Sequence, residues 1–330
     1  MNEDYKPPYK VTDKIINQIS LITEVVTELT INNEELSNPM LRRENQIKTI
    51  HSSLAIENNS LSLDQVTDII DGKRVLGLPQ EITEVKNAFE TYEMVLNFNP
   101  FSVDDLLRAH SILMNDLVKD NGQFRSGGVG VFAGEKLIHM APQAKFVPDL
   151  IIDLFRWASE NTEIHPLIRS CVFHYEFEFI HPFSDGNGRM GRLWQTLLLS
   201  TWRKVFRWLP VETLVRDNQD EYYDVLGVCD NEAESTRFIE YMLDNIYESL
   251  LEIKQTEQVT EQVTEQVKKL MKVITSIPKS ANELMELVGI KHKLTFRDNY
   301  LKPAIKLGLV LMTSPDKPRS SNQKYYKSSK

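Results

Sequence analysis

The residues best suited to chemistry lie together, at His181-Pro182-Phe183-Ser184-Asp185-Gly186-Asn187-Gly188-Arg189-Met190-Gly191-Arg192. They comprise one titratable base, one carboxylate, an amide between two glycines, and two cations. Glycine lets backbone N–H groups come close to an anion, and a following helix directs its positive N-terminus the same way. Asp185 is suited to Mg2+. Arg189 and Arg192, three residues apart, share one helix face and can grip phosphate oxygens. His181 titrates near neutrality and can accept a proton from an attacking hydroxyl. Together these groups suit phosphate chemistry. A solvated loop with a capping aspartate explains any one of them, but not nine such positions in twelve.

Residue by residue, this stretch resembles the signature of the Fic (Fic/Doc) family, H-P-F-x-[DE]-G-N-G-R-x-x-R, and every fixed position matches. The resemblance implies transfer of AMP from ATP to a Ser, Thr or Tyr hydroxyl of a protein target, with Mg2+ present. It implies His181 as general base and Asp185 as the metal ligand. Gly186, Asn187 and Gly188 would form the anion hole, and Arg189 and Arg192 would hold phosphates. Phe183 would anchor the loop. The ATP-binding set it implies is Glu57, Val129, Gly130, Val131, Phe132, Asp185, Gly186, Asn187, Gly188, Arg189, Met190, Gly191, Arg192, Tyr222 and Tyr223. Core packing is an equally good reading of Tyr222 and Tyr223.

A second segment, Ser53-Leu54-Ala55-Ile56-Glu57-Asn58, fits the family's inhibitory pattern [ST]-x-x-x-E-[GN]. The resemblance makes Ser53, Glu57 and Asn58 the inhibitory residues. Glu57 would occupy Arg192, the cation that should receive the ATP γ-phosphate. Because the segment lies N-terminal to the signature, the chain is similar to class II, self-inhibited members.

Helices must hold these residues. The apolar stretches 167–180 and 193–202 flank the signature, and 41–56 carries Glu57 at its end. Helical periodicity also predicts 11–29, 61–78 (a short helix and turn), 81–96 and 147–159. A helix beginning at Ser102, with Asp105 in a capping-box-like position, runs to Asn121-Gly122. His110, on that helix, reads as a packed histidine, and His165 and His174 as structural ones. Residues 129–132 and 137–140, around Ala133-Gly134-Glu135, read as a β-hairpin. Its place matches the family's flap, which lays an extended target segment beside the site through main-chain hydrogen bonds. Its sequence lacks the usual isoleucine-glycine pair followed by prolines. Pro210 opens a loop over 209–217, and 220–228 and 233–253 are helical.

The segment Thr256-Glu257-Gln258-Val259 then recurs twice. A four-residue period drifts around a helix, giving a polar helical linker or a short dimerising stripe. Helices at 267–276, 280–288 and 294–307 (bent at Pro303) and strands at 309–313 and 323–326 follow. That order reads as a winged helix. The fold class is therefore all-α, a helical Fic core with a β-hairpin flap plus a small C-terminal winged helix. Its domains are 1–255, a linker at 256–267, and 268–330.

The net charge of −9 hides an asymmetry, since residues 268–330 hold 14 Lys/Arg against 4 Asp/Glu. This basic unit could meet nucleic acid through Lys291, Lys293, Arg297, Lys302, Lys317, Arg319 and Lys324, or serve protein contacts. A nucleotide-sensing DNA-binding regulator is thus a second functional class. Phosphate transfer, UMP transfer or AMP removal on the same fold are variants of the first. Cys171 and Cys229 sit in apolar surroundings without a catalytic motif, as in a reducing compartment. No apolar run nears the roughly 20 residues of a membrane helix. A cytoplasmic protein without membrane contact is expected, with automodification and a homodimer as further expectations.

Overall fold

A computed structural model describes residues 5–30, 39–133, 136–306, 309–315, 320 and 323–328. The first unit, Met1–Ile253, is built from α1 (Asp13–Thr30), α2 (Pro39–Ile56), α3 (Leu63–Ile70), α4 (Pro79–Glu93), α5 (Val103–Leu113), α6 (Val147–Glu160), α7 (Pro166–Ile180), α8 (Asn187–Trp202), α9 (Val211–Asp217), α10 (Gln219–Glu232) and the start of α11 (Thr236–Val273). Among the described residues its hairpin pairs β1 (Gly130–Ala133) with β2 (Lys136–Met140). An all-α core carries the site.

At the centre α7 and α8 form an antiparallel pair, with His174 bonded to Gln195 and the Glu178 carboxylate lying against Gly191. Both helices are buried nearly all round, as central helices are, and they bury polar groups such as His174, Glu178, Arg189, Arg192 and Gln195 along with their apolar residues. Phe173, Phe177 and Trp194 fill the space beside them. Helix α2 packs on α4, α8 and α9, bringing the end that carries Glu57 to the signature.

Local chemistry sets several boundaries. Ser62 and Gln65 form a capping box at α3. Ser102 caps α5, but the Asp105 carboxylate accepts from Asn99 N–H instead of completing a box. Helix α5 stops at Leu113, short of the expected Gly122. The Asn87 amide takes the carbonyls of Leu113 and Asn115, and Asp116 turns left-handed at φ 59°. Pro210 caps α9 where a loop was expected, because proline's fixed φ and missing N–H suit a helix start. Helix α8 begins at Asn187 rather than near Leu193, so only residues 181–186 of the signature are loop.

The second unit, Lys254–Lys330, follows the order helix, strand, helix, helix, hairpin. After α11 come β3 (Lys279–Ser280), α12 (Ala281–Val288), α13 (Lys293–Phe296), α14 (Lys302–Lys306), β4 (Val310–Met312) and β5 (Lys324–Lys327), with sheet order β3-β5-β4, all antiparallel. Strand β3 had no sequence signal. The three TEQV copies lie within α11, a single 38-residue helix, where three separate elements were expected. No glycine or proline interrupts it. Between α13 and α14, residues Arg297–Leu301 form a π turn in place of a bend, and Lys302 N–H donates to Arg297 O. The wider turn relieves the clash Pro303 would make in an α-helix. The hairpin tip Gly134-Glu135, Leu307, and Lys317 and Arg319 lie outside the described residues.

Candidate active site

Two left-handed residues shape the signature loop. His181 ends α7 at φ 49°, ψ 64°, and Gly186 caps α8 at φ 82°. The histidine backbone holds a conformation that disfavours side-chain-bearing residues, on the order of 1–2 kcal/mol. Gly186 meets a second demand, since a Cβ there would lie 2.7 Å from Met114 Sδ. Helix α8 then points its first-turn N–H groups at the loop, where they have no acceptor within the helix.

Buried bonds close the loop. Asn187 accepts from Phe183 N–H at 2.8 Å and donates to Phe183 O at 2.9 Å. The Asn187 side-chain amide is thus engaged with the loop, which leaves its backbone N–H as the group available for the expected anion hole. Gly186 N–H donates to Asp185 Oδ1 at 2.6 Å and is likewise engaged. Phe183 is fully buried, stacked on the His110 ring at 3.7 Å.

His181 Nδ1 lies 3.3 Å from Glu178 O. A carbonyl can only accept, so Nδ1 carries the proton and Nε2 is the basic nitrogen. Asp185 is half exposed and binds Arg189 Nη2 at 3.2 Å. Arg189 is buried, and its Nε has no acceptor among the described residues, a donor suited to an anion. Arg192, also buried, donates to Glu57 Oε1 at 2.8 Å, Ser53 O at 3.0 Å and Ser53 Oγ at 3.2 Å. Gly188 lies beneath this pair, and a Cβ there would stand 2.5 Å from Glu57 Oε1. Asn58 follows at φ 68°, which gives the [GN] of the inhibitory pattern a physical reason: the chain turns left-handed there.

The structure thus brings His181, Asp185, Gly186, Asn187, Gly188, Arg189, Arg192, Ser53, Glu57 and Asn58 into one region. Three residues of the expected nucleotide set face inward. Met190 is fully buried. Gly191 faces α7, and a Cβ there would stand 2.5 Å from Glu178 Oε1. Tyr222 is buried among His174, Tyr223, Phe238 and Tyr241, so it is core. Tyr223 is half buried, and its phenol is raised by burial and then by the Glu57 charge. Val129 and Gly130 are half exposed, while Val131 and Phe132 lie in β1.

Two residues in the site carried no functional signal in the sequence. His110 Nδ1 accepts from Gly122 N–H at 2.8 Å, so its Nε2 donates to Asp185 O at 3.0 Å. Arg125 is buried and binds four carbonyls, including those of Ile180 and His181. Most of their acceptors are backbone atoms distant in sequence, which no residue pattern marks.

His110 yields a pH prediction. Burial pushes its pKa from 6.5 down to about 4. The unfolded chain takes that proton at about 6.5, so between these values it binds more protons than the folded state. Stability therefore falls as pH drops from about 6.5 to 4, by on the order of 3 kcal/mol from this residue. Urea midpoints at pH 7 and pH 4.5 should show wild type losing its advantage over His110→Gln on acidification. An unchanged gap would count against the assignment.

Among the described residues no three His, Cys, Asp or Glu side chains cluster as a metal site. Mg2+ commonly needs only one or two carboxylates beside substrate phosphates, and half-exposed Asp185 fits that requirement. Burial raises the Cys171 thiol to about 12 and the Cys229 thiol to about 11, so neither is an activated nucleophile. No described helix is long and apolar enough to cross a membrane.

Comparison with known proteins matches this geometry. Residues 100–199 match the Fic/DOC family, and residues 265–327 match the Filamentation induced by cAMP protein Fic-like C-terminal domain. The crystal structure of a Fic family protein from Desulfovibrio desulfuricans is 52% identical, with a TM-score of 0.76 and 99% of each chain covered. Protein adenylyltransferase fic-1 of Caenorhabditis briggsae is 29% identical over 217 residues, and protein adenylyltransferase Fic of Culex quinquefasciatus 30% over 213. Each match covers 61% of this chain but only 40% of the relative's length. The near full-length match, the signature and the helical fold around it place this chain in the Fic family.

Proposed function

We propose that the chain is a protein adenylyltransferase, moving AMP from ATP to a Ser, Thr or Tyr hydroxyl of a protein target, and that Glu57 holds it off. The observation that carries this is the Glu57–Arg192 contact of 2.8 Å over Gly188, beside a buried Arg189 donor that has no acceptor among the described residues. Family membership and the names of the curated relatives support the chemistry.

On this reading the ATP phosphates lie along the N-terminus of α8, against the Asn187, Gly188 and Arg189 N–H groups. The target hydroxyl attacks the α-phosphorus, His181 Nε2 takes its proton, and pyrophosphate leaves. Asp185 would hold Mg2+, which when bound neutralises phosphate charge. The β1–β2 hairpin offers strand edges to an extended acceptor segment. Glu57 keeps Arg192 from the γ-phosphate, so bound ATP presents its α-phosphate out of line.

The test is incubation of Glu57→Gly with α-labelled ATP, with ATP, UTP, GTP and CTP as competitors. Label should appear on the protein itself or on lysate proteins, and ATP should compete best. No label on any protein would sink the reading, and preferential competition by UTP would redirect it to UMP transfer.

A second reading concerns the basic unit. Its element order is that of a winged helix, and Lys291, Lys293, Arg297 and Lys302 are exposed on and before its second helical pair. Asp298 bridges Arg297 at 3.0 Å and Lys302 at 2.9 Å, fixing two of those cations in place. We infer a duplex nucleic-acid contact there, with residues 1–255 as the Fic core and 256–267 as the helical connection. A gel shift of the full chain that steepens at low salt supports it, and no shift at low salt removes it. Buried thiols favour a cytoplasmic setting.

A further inference from the structure

We propose that Arg125 is a positioning residue that fixes the β1–β2 hairpin relative to His181, and so sets how a protein acceptor is presented for attack. The proposal rests on the adenylyltransferase reading. Arg125 is 3% exposed. Its Nε donates to His181 O at 2.7 Å, and its Nη2 to Ile180 O at 3.2 Å and Pro142 O at 2.6 Å. Its Nη1 donates to Gly127 O at 2.8 Å, and its own backbone N–H to Pro182 O at 3.0 Å.

These partners fall into two sets. Gly127 precedes β1 and Pro142 follows β2, so they are the two roots of the hairpin, which is closed beneath by Ala141 N–H on Val129 O. Ile180 and His181 are the residues where α7 ends and the catalytic loop begins. Carbonyls at a helix C-terminus lack partners within the helix and carry the negative end of its dipole, where a cation is favoured. One guanidinium satisfies both sets. All four side-chain acceptors are carbonyls, so the side chain acts through geometry. A planar fork with five donors can span four directions at once, whereas a lysine ammonium cannot. The bond to His181 O also holds that residue in its left-handed conformation, which sets where the imidazole points.

Arg125 therefore touches the acceptor side of the site, while Gly188, Arg189 and Arg192 on α8 face the nucleotide. Loosening Arg125 should misplace the acceptor more than the ATP. A shift of about 1 Å in a reacting group can cost on the order of 10²-fold in rate.

The experiment uses the full chain carrying Glu57→Gly as parent. Arg125→Lys added to it should lower AMP incorporation into protein acceptors at least about 10-fold, with the Kd for ATP, titrated calorimetrically, within about 2-fold. A merely structural role would weaken both together. A second variant replaces residues 133–139, outside the expected nucleotide set, with two glycines. It should give the same split, and combining it with Arg125→Lys should add little, since both act through one path. Equal transfer by Arg125→Lys, a matching loss of ATP affinity, full transfer by the hairpin variant, or losses that multiply would each overturn the proposal. If Arg125→Lys does not fold, the hairpin variant alone decides: full transfer overturns the proposal, and loss of transfer with ATP affinity intact supports it. A parent that transfers no AMP defeats the adenylyltransferase reading and this proposal together. A parent that transfers but ignores Arg125 defeats this proposal alone.

Discussion

Glu57→Gly is expected to transfer AMP about 10- to 100-fold faster than wild type, with ATP affinity nearly unchanged. Arg192 is 4% exposed and its contact with Glu57 is largely shielded from water. A hydrogen bond to a charged group is worth roughly 1.5–3 kcal/mol net, and about 1.4 kcal/mol is a factor of ten. Removing the carboxylate frees the cation for the γ-phosphate, which corrects geometry more than it adds binding. Arg192 keeps its bonds to Ser53 O and Oγ, so it stays in place. It does lose its charge partner, so Glu57→Gly should melt at a lower temperature than wild type. Magnesium ATP should raise both melting temperatures by similar amounts, because ligand stabilisation follows affinity, which is expected to be nearly unchanged. Arg192→Ala should silence both backgrounds. Equal automodification by wild type and Glu57→Gly would end the self-inhibition claim without touching the assignment of His181.

Substituting His181 in the Glu57→Gly background should cost about 10²- to 10⁴-fold in transfer, the usual contribution of a general base. The backbone complicates the choice of replacement. At φ 49° an alanine carries the left-handed penalty, whereas asparagine visits that region readily. His181→Asn and His181→Ala should therefore be equally inactive, with His181→Asn the more stable in urea. ATP affinity should hold in both, since phosphate is expected at α8. If His181→Asn kept near-parent transfer, the proton must go elsewhere.

Much of this was legible in the sequence because the signature is contiguous and each residue type has one chemical use. Glu57 was legible only through the family's pattern, since a helix-terminal glutamate is ordinary by itself. The central helices and the hairpin followed from apolar periodicity. What escaped notice was carried by backbone acceptors and by tertiary override. Arg125 and His110 act on carbonyls 55 and 75 residues away. The early end of α5 comes from Asn87, on another helix. Pro210 read as a loop opener because proline starts helices and breaks them with the same chemistry. Met190 and Gly191 were grouped with the nucleotide by their place in the motif, and helix phase turns them inward; Tyr222, read equally as core, is buried.

On the reading proposed above, Gly188 limits how this protein could drift out of control. A methyl group there would press on Glu57 Oε1 at 2.5 Å and on Arg192 Nη1 at 2.9 Å. It would dislodge the inhibitory carboxylate, but it would also occupy the ground that phosphate oxygens need. Any side chain at this point loosens the restraint and blocks the substrate in one step. On that reading a chance mutation on α8 at this position is expected to idle the site without releasing it. Unrestrained variants are expected across the gap, just past the end of α2, where Glu57 can be lost without narrowing the site.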